Sequence, residues 1–213
     1  MSLPDVLNRI EAAAGRTGRD PESVRLVAVT KGHSLAEIER YVLRYGEFPL
    51  GENRVQEARA KIAAWPDKEW HFIGPMQRNK VRYMRPFALI HSIDSVSLAT
   101  ALAARAARDG YRPRILLEVN VAREPQKHGL DPGELDAAVR AVRGLDDLEL
   151  LGLMTMAPLA DDPEEVRWVF RELAAMAAQH GLRELSMGMS ADFEVAVEEG
   201  ATLVRVGRAL FTE

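Results

Sequence analysis

Along the chain, short continuous apolar runs alternate with longer stretches in which apolar residues return every three or four positions. The runs lie at 25–31, 47–50, 70–73, 88–91, 114–121, 149–154, 184–187 and 203–206, and they read as strands. The periodic stretches lie at 35–45, 53–64, 77–84, 95–109, 131–142, 163–180 and 190–199, and they read as helices with one buried face. Punctuation agrees with this division. Ser34 precedes LAEIERYVL, Asp94 and Ser95 stand before the 95–109 stretch, and Gly181 and Gly200 fall where helices should stop. A further amphipathic helix opens the chain, with Ser2 as its cap, Pro4 in its first turn, and Leu3, Val6, Leu7 and Ile10 on one side.

Eight strands, each followed by a helix or a turn toward one, predict an α/β fold, a single (β/α)8 TIM barrel with an extra N-terminal helix. A doubly wound open sheet would give the same alternation. The count of eight favours the barrel, as does the lack of a glycine-rich dinucleotide fingerprint after the first strand. No Pro-, Gly- or Ser-rich linker interrupts the pattern, so residues 1–213 are expected to form one domain.

Composition narrows the class. A net charge of −4 argues against a nucleic-acid partner, which would require a strongly basic face. The absence of cysteine excludes disulfides and thiolate metal sites and is compatible with a reducing compartment. No secretory signal is legible at the N-terminus, and no apolar run approaches the roughly 20 residues needed to cross a bilayer. A cytoplasmic protein without a membrane partner is the expectation.

A barrel places its site at the C-terminal ends of its strands. There the sequence offers Lys31, GEN at 51–53, GPMQRNK at 74–80, HSID at 91–94, Asn120, Met154-Thr155-Met156, SMGMS at 186–190, and Arg205 with Gly207. Side-chain alternation puts Val27, Val29 and Lys31 on one face of the first strand and Leu203, Arg205 and Gly207 on one face of the last. If that face is the interior, Lys31 and Arg205 both enter the top layer. A desolvated lysine supplies neutral amine able to attack an aldehyde. A lysine whose head simply reaches water is the competing reading. Arg205 reads either as half of a structural ion pair, for instance with Glu118, or as a cation facing a ligand. SMGMSADFE and VGRALF each run from strand to glycine to expected helix, an arrangement suited to an anion. A lysine and an anion site together suggest a phosphorylated aldehyde, with pyridoxal 5′-phosphate the leading candidate.

At this point the chain resembles the pyridoxal phosphate homeostasis proteins, relatives of the barrel domain of alanine racemase. The matching segments are AVTK (28–31), GENRVQEA (51–58), WHFIGPMQRNK (70–80), HSIDS (91–95), GLMTMAP (152–158), LSMGMSADFE (185–194) and VRVGRALF (204–211). The resemblance implies pyridoxal 5′-phosphate held as an aldimine on Lys31, with Arg205 facing the pyridine nitrogen. It places Ser186, Gly188, Ser190, Gly207 and Arg208 around the phosphate, Asn53 beside the ring, and Met154 nearby. Arg208 stands where relatives often have Thr, which affects only a side-chain contact to the phosphate. Lys80 and Lys127 are further lysines near the rim; solvent exposure is the expectation for each, with a second, looser cofactor molecule as the alternative.

Two functions then compete: a racemase or similar enzyme, and a cofactor carrier. Two-base racemisation needs an acid/base on each face of the substrate, and Lys31 supplies one. The resemblance implies that the racemase draws its second base, a tyrosine, from a C-terminal domain that this sequence does not include. The tyrosines here, at 41, 45, 83 and 111, lie outside the strand-end motifs, and His91 is a weak substitute. The expectation is a carrier that takes part in vitamin B6 homeostasis without turnover, monomeric, with cofactor-requiring apo-enzymes as recipients. His71, His91 and His128 lack metal-ligand spacing, so no metal is expected.

Overall fold

The interior of the molecule is set by one repeated fact: each strand buries both of its faces. The computed structural model describes residues 1–211. Its strands are β1 (Arg25–Val29), β2 (Leu50–Glu52), β3 (Trp70–Phe72), β4 (Leu89–Ile93), β5 (Arg114–Glu118), β6 (Glu149–Met154), β7 (Glu184–Ser186) and β8 (Leu203–Val206). They close into a barrel in sequence order, and every neighbouring pair, including β1 with β8, is parallel. The helices are α1 (Leu3–Arg16), α2 (Leu35–Tyr41), α3 (Val55–Ala64), α4 (Val96–Asp109), α5 (Leu135–Arg143), α6 (Arg167–Gln179) and α7 (Phe193–Glu198).

Two apolar layers follow from strand alternation. Val27, Leu89, Leu116, Met154 and Leu203 cluster in the barrel interior. Their neighbours Leu26, Ala28, Ile90, Ile115, Leu117, Val204 and Val206 join the larger core between barrel and helices. Polar side chains share the interior: His71, His91, Glu118, Ser186 and Arg205 are all buried there, while Glu52 is buried on the outer face of β2 against Lys61 of α3.

α1 is the added N-terminal helix. Ser2 and Asp5 form a reciprocal capping box, Pro4 occupies the first turn, and Leu3, Val6, Ile10, Ala13 and Ala14 are buried. It packs against α7, where Arg9 pairs with Glu194, and Arg16 pairs with Glu198 at 2.5 Å.

Several boundaries differ from the sequence expectation, each for a local reason. β1 stops at Val29, because the ladder to β2 ends there, and Thr30 turns the chain with its carbonyl accepting from the His33 amide. β2 begins at Leu50, after Pro49, and runs through Glu52. The 77–84 segment is a 3-10 helix, Arg78–Tyr83, and the turn after β8 is a 3-10 helix, Arg208–Phe211. β5 ends at Glu118; beyond it, Val119 makes only an isolated bridge to Leu130. Among the described residues, no helix is long and apolar enough to cross a membrane.

Candidate functional site

β8 carries Arg205 on the same face as Leu203, so alternation turns the guanidinium into the barrel, where it is 5% exposed. It donates to the Ser186 hydroxyl from Nη1 (2.5 Å) and to the Thr155 carbonyl from Nη2 (2.9 Å). Burial pulls it down to about 10, opposed by the negative charges of Asp192 and Glu118, so it remains a cation at neutral pH. The alternative of an ion pair with Glu118 does not form: among the described residues no carboxylate lies in salt-bridge contact with Arg205. A hydroxyl and a carbonyl satisfy the guanidinium instead.

Glu118 thereby becomes a site residue in its own right, one that sequence reasoning treated only as a partner. It ends β5 on the interior face set by Leu116 and is 3% exposed. Burial and the neighbouring Asp94 push its carboxyl up to about 7, against the opposing pull of Arg205 and His128. The inward alternation of β5 was the signal that should have singled it out.

Ser186, at the end of β7, is fully buried, and its hydroxyl also contacts His91 Nδ1 at 2.7 Å. That hydroxyl is committed beneath Arg205 rather than free for an anion. Both ring nitrogens of His91 are occupied, since Nε2 lies 3.0 Å from His71 Nδ1. Met154 pairs in register with Ser186 and is buried in the interior layer.

The loop after β7 is shaped for close approach. Gly188 has φ +88°, and a Cβ there would sit 2.6 Å from the Ala196 methyl and 2.9 Å from Phe193 Cα, so only glycine fits. Its carbonyl accepts from the Arg205 amide (3.0 Å), and Asp192 caps the Met189 amide (2.6 Å). Neither the Ser190 nor the Ala191 amide has a protein acceptor among the described residues. Gly207 lies against Val29 of β1, and Arg208 is exposed at the start of the final 3-10 turn. α7 is one short helix, and a 3-10 turn replaces the second expected helix, so the groups these loops could offer an anion are loop amides.

Lys31 does not occupy the buried layer that alternation suggested. It is exposed in the turn after β1, since the strand ends two residues earlier. The turn itself is tightly held. Lys61 on α3 donates to the Thr30 carbonyl and to Glu52 Oε1, both at 2.6 Å, and the Thr30 hydroxyl donates to the same carboxylate oxygen. The Gly32 amide donates to Glu57 (3.1 Å), and Ser34 with Glu37 forms a capping box that starts α2. His33 stacks on Phe211 at 3.6 Å between ring centroids, joining this turn to the one after β8. Sequence reasoning missed the Glu52–Lys61 pair, although GEN at a strand end followed by a helical lysine was visible.

Asn53, just past β2, has a buried Oδ1 with no hydrogen-bond partner. It lines a cleft of about 460 Å³ together with Arg54, Lys80, Asp94 and His128. Lys127 lies elsewhere, bound to the Ala157 carbonyl (3.1 Å) and paired with Glu124. No group of three or more potential metal ligands occurs among the described residues.

Known proteins place this arrangement in a family. Residues 3–213 match the family described as alanine racemase, N-terminal domain. The chain is 53% identical over 211 residues to the pyridoxal phosphate homeostasis protein of Deinococcus radiodurans, covering 99% of this chain and 100% of the relative. It is 37% identical to the protein of the same name in Escherichia coli, covering 99% and 94%. Among solved structures, PipY of Synechococcus elongatus with PLP bound superposes with a TM-score of 0.82 at 38% identity, covering 96% of this chain and 100% of that one. Alanine racemase of Clostridium difficile shares the fold at 15% identity and a TM-score of 0.78, with 55% of its length covered. Closed barrel, strand-end residues and full-length relatives agree: the chain belongs to the alanine racemase N-terminal domain family, alongside the pyridoxal phosphate homeostasis proteins.

Proposed function

We propose that this protein binds pyridoxal 5′-phosphate at the mouth of its barrel and holds it through Lys31, as part of intracellular vitamin B6 homeostasis rather than as an enzyme. The observation that carries the reading is the convergence of three unlike groups on adjacent strands. Lys31 follows β1, the buried Arg205 cation lies on β8, and the Gly188 loop with its unpaired Ser190 and Ala191 amides follows β7. A phosphorylated heteroaromatic aldehyde has a counterpart for each. Its aldehyde suits an amine, its ring nitrogen suits the Arg205 guanidinium, and its phosphate suits loop amides around a glycine. The orphaned Asn53 Oδ1 is one more polar atom awaiting a ligand. Full-length relatives named for this cofactor support the same choice.

When bound, the cofactor supplies an electrophilic carbonyl and a conjugated ring. The residues of this chain do the holding. Lys31 would hold the aldehyde carbon through its amine nitrogen, with loss of one water. Arg205, a permanent cation, disfavours protonation of a facing ring nitrogen and so weakens the ring as an electron sink. His91 supports the carrier reading, since both its nitrogens are engaged in the interior. The test is the visible absorption spectrum of cofactor-loaded protein before and after borohydride. The wild type is expected to show a band that borohydride converts to a stable covalent adduct. Lys31→Ala is expected to form none, and retention of an equal adduct would overturn the assignment.

One observation favours a second reading. Glu118 is a buried interior carboxyl held near 7, the range suited to a general acid or base. An amino-acid racemase would need such a group opposite Lys31. Incubation with amino acids in deuterium oxide separates the two: α-proton exchange that disappears in Glu118→Gln would establish turnover, and exchange at the rate of free cofactor supports the carrier.

A further inference from the structure

Beneath Arg205 an unbroken hydrogen-bonded file runs down the barrel axis to its opposite face. The Ser186 hydroxyl meets His91 Nδ1 (2.7 Å), His91 Nε2 meets His71 Nδ1 (3.0 Å), and His71 Nε2 meets Glu69 Oε1 (2.9 Å). Glu69 is bound in turn by Arg25 Nη2 at 2.7 and 2.8 Å. Ser186, His91 and His71 are each 0% exposed, whereas the Glu69 side chain is 42% exposed. Glu69 and Arg25 border a cavity of about 270 Å³ at the N-terminal face of the barrel. The site and this cavity are thus joined by polar contacts through the buried interior.

Donor and acceptor chemistry gives the file a direction. A guanidinium only donates, so the Ser186 oxygen accepts from Arg205 and its own proton goes to His91 Nδ1. His91 then carries its proton on Nε2 and gives that hydrogen bond to His71 Nδ1. His71 in turn carries its proton on Nε2 and donates to the Glu69 carboxylate. Every donor in this neutral arrangement finds an acceptor. The reversed neutral arrangement fails at both ends. It would set an imidazole lone pair against the carboxylate, and it would leave the Ser186 proton without His91 as acceptor.

We propose that Glu69, His71 and His91 are positioning residues that act through Ser186 to fix the Arg205 guanidinium at the ligand-binding end of the barrel. The proposal rests on the reading that Arg205 faces the bound cofactor. Burial favours the neutral imidazoles the file requires, pushing His71 down despite Glu69 and Glu184, and His91 down further with Arg205, Arg25 and His71 adding to it. Protonating His71 would make both of its nitrogens donors. His91 would then have to accept at Nε2 and donate from Nδ1, and Ser186 would lose its acceptor. An event at the far face therefore reorients the hydroxyl that holds Arg205.

The first test needs no cofactor. Long-range nitrogen–proton NMR of labelled wild-type protein, assigned with His71→Gln and His91→Gln, should show both rings neutral and protonated on Nε2 at pH 7. A proton on His91 Nδ1, or a charged His71, would overturn the proposal. The second test titrates pyridoxal 5′-phosphate into His71→Phe, which leaves Ser186, His91 and Arg205 in place, and into the surface variant Glu69→Gln. His71→Phe should weaken binding about tenfold or more and move the bound absorption band, on the scale of one misdirected hydrogen bond to a charged group. Glu69→Gln should move both in the same direction by less, because it weakens only the last acceptor of the file. Unchanged affinity and band in both folded variants would overturn the proposal. If the wild type binds no cofactor, the reading beneath it fails, and the NMR result alone judges the file.

Discussion

Glu118 makes stability run the opposite way with pH from that of an ordinary salt-bridged carboxylate. Its folded-state carboxyl lies at about 7 against an ordinary value of 4.5, chiefly through burial and secondarily through Asp94. The folded chain therefore keeps this proton over a range in which the unfolded chain has released it. Stability from the protonated form is fully present below about 4.5 and is lost as pH rises through about 7. The separation spans about 2.5 pH units, and each unit corresponds to about 1.4 kcal/mol, so the penalty above pH 8 is about 3 kcal/mol. Little solvent screening applies, because the residue is 3% exposed.

Glu118→Gln fixes the neutral form at every pH. Denaturant unfolding at pH 4.5, 6 and 8 should show the variant equal to wild type at the acid end. At pH 8 it should be about 3 kcal/mol more stable, with a midpoint roughly 6–12 °C higher on heating. Asp94→Asn, which removes the neighbouring charge, should move the wild-type inflection toward lower pH without abolishing it. Equal stability of wild type and Glu118→Gln at pH 8 would refute the reasoning. So would an advantage that grew toward acid.

Other consequences follow from single contacts. Gly188→Ala must place a Cβ 2.6 Å from the Ala196 methyl at φ +88°, and should lose at least about 1–3 kcal/mol in denaturant unfolding while weakening cofactor binding in a fluorescence titration. Lys61→Met leaves the Glu52 carboxylate buried without its cation and should lose roughly 3–5 kcal/mol, much of it recovered in Lys61→Met/Glu52→Gln, as a double-mutant cycle by circular dichroism would reveal. Ser34→Ala removes the capping box behind the Lys31 turn and should lose about 1 kcal/mol, read as a shifted denaturant midpoint with an unchanged slope.

The barrel was legible because its signals are local. A strand buried on both faces and a helix buried on one differ in period, and α1, α2 and α4 announce their starts with the capping residues Ser2, Ser34 and Ser95. Strand ends are a different matter, because pairing with neighbours decides them. Residues 25–31 read as one apolar run ending in lysine, yet β1 pairs with β2 only at Ala28 and Val29 and stops there. Lys31 keeps the phase of Val27 and loses the burial, since alternation states a direction and not a depth.

The polar interior was hidden for a related reason. His71 and His91 stand twenty positions apart and look unconnected by any motif spacing. In a parallel barrel the register of β3 with β4 pairs His71 with Leu89, so His91 follows one layer above on the same inward face. Adjacent inward positions on adjacent strands become contacts only once closure and register are known. The same holds for Arg205, for which a carboxylate partner was one of two readings. A buried guanidinium requires acceptors rather than a counter-ion in contact, and the Ser186 hydroxyl and Thr155 carbonyl supply them. Glu118, outside salt-bridge contact with Arg205, is pushed up to about 7, and the guanidinium feels only the longer-range charges of Asp192 and Glu118. A barrel interior whose guanidinium has a hydroxyl and a carbonyl as contacts, and no carboxylate, suits an anionic ligand at its mouth.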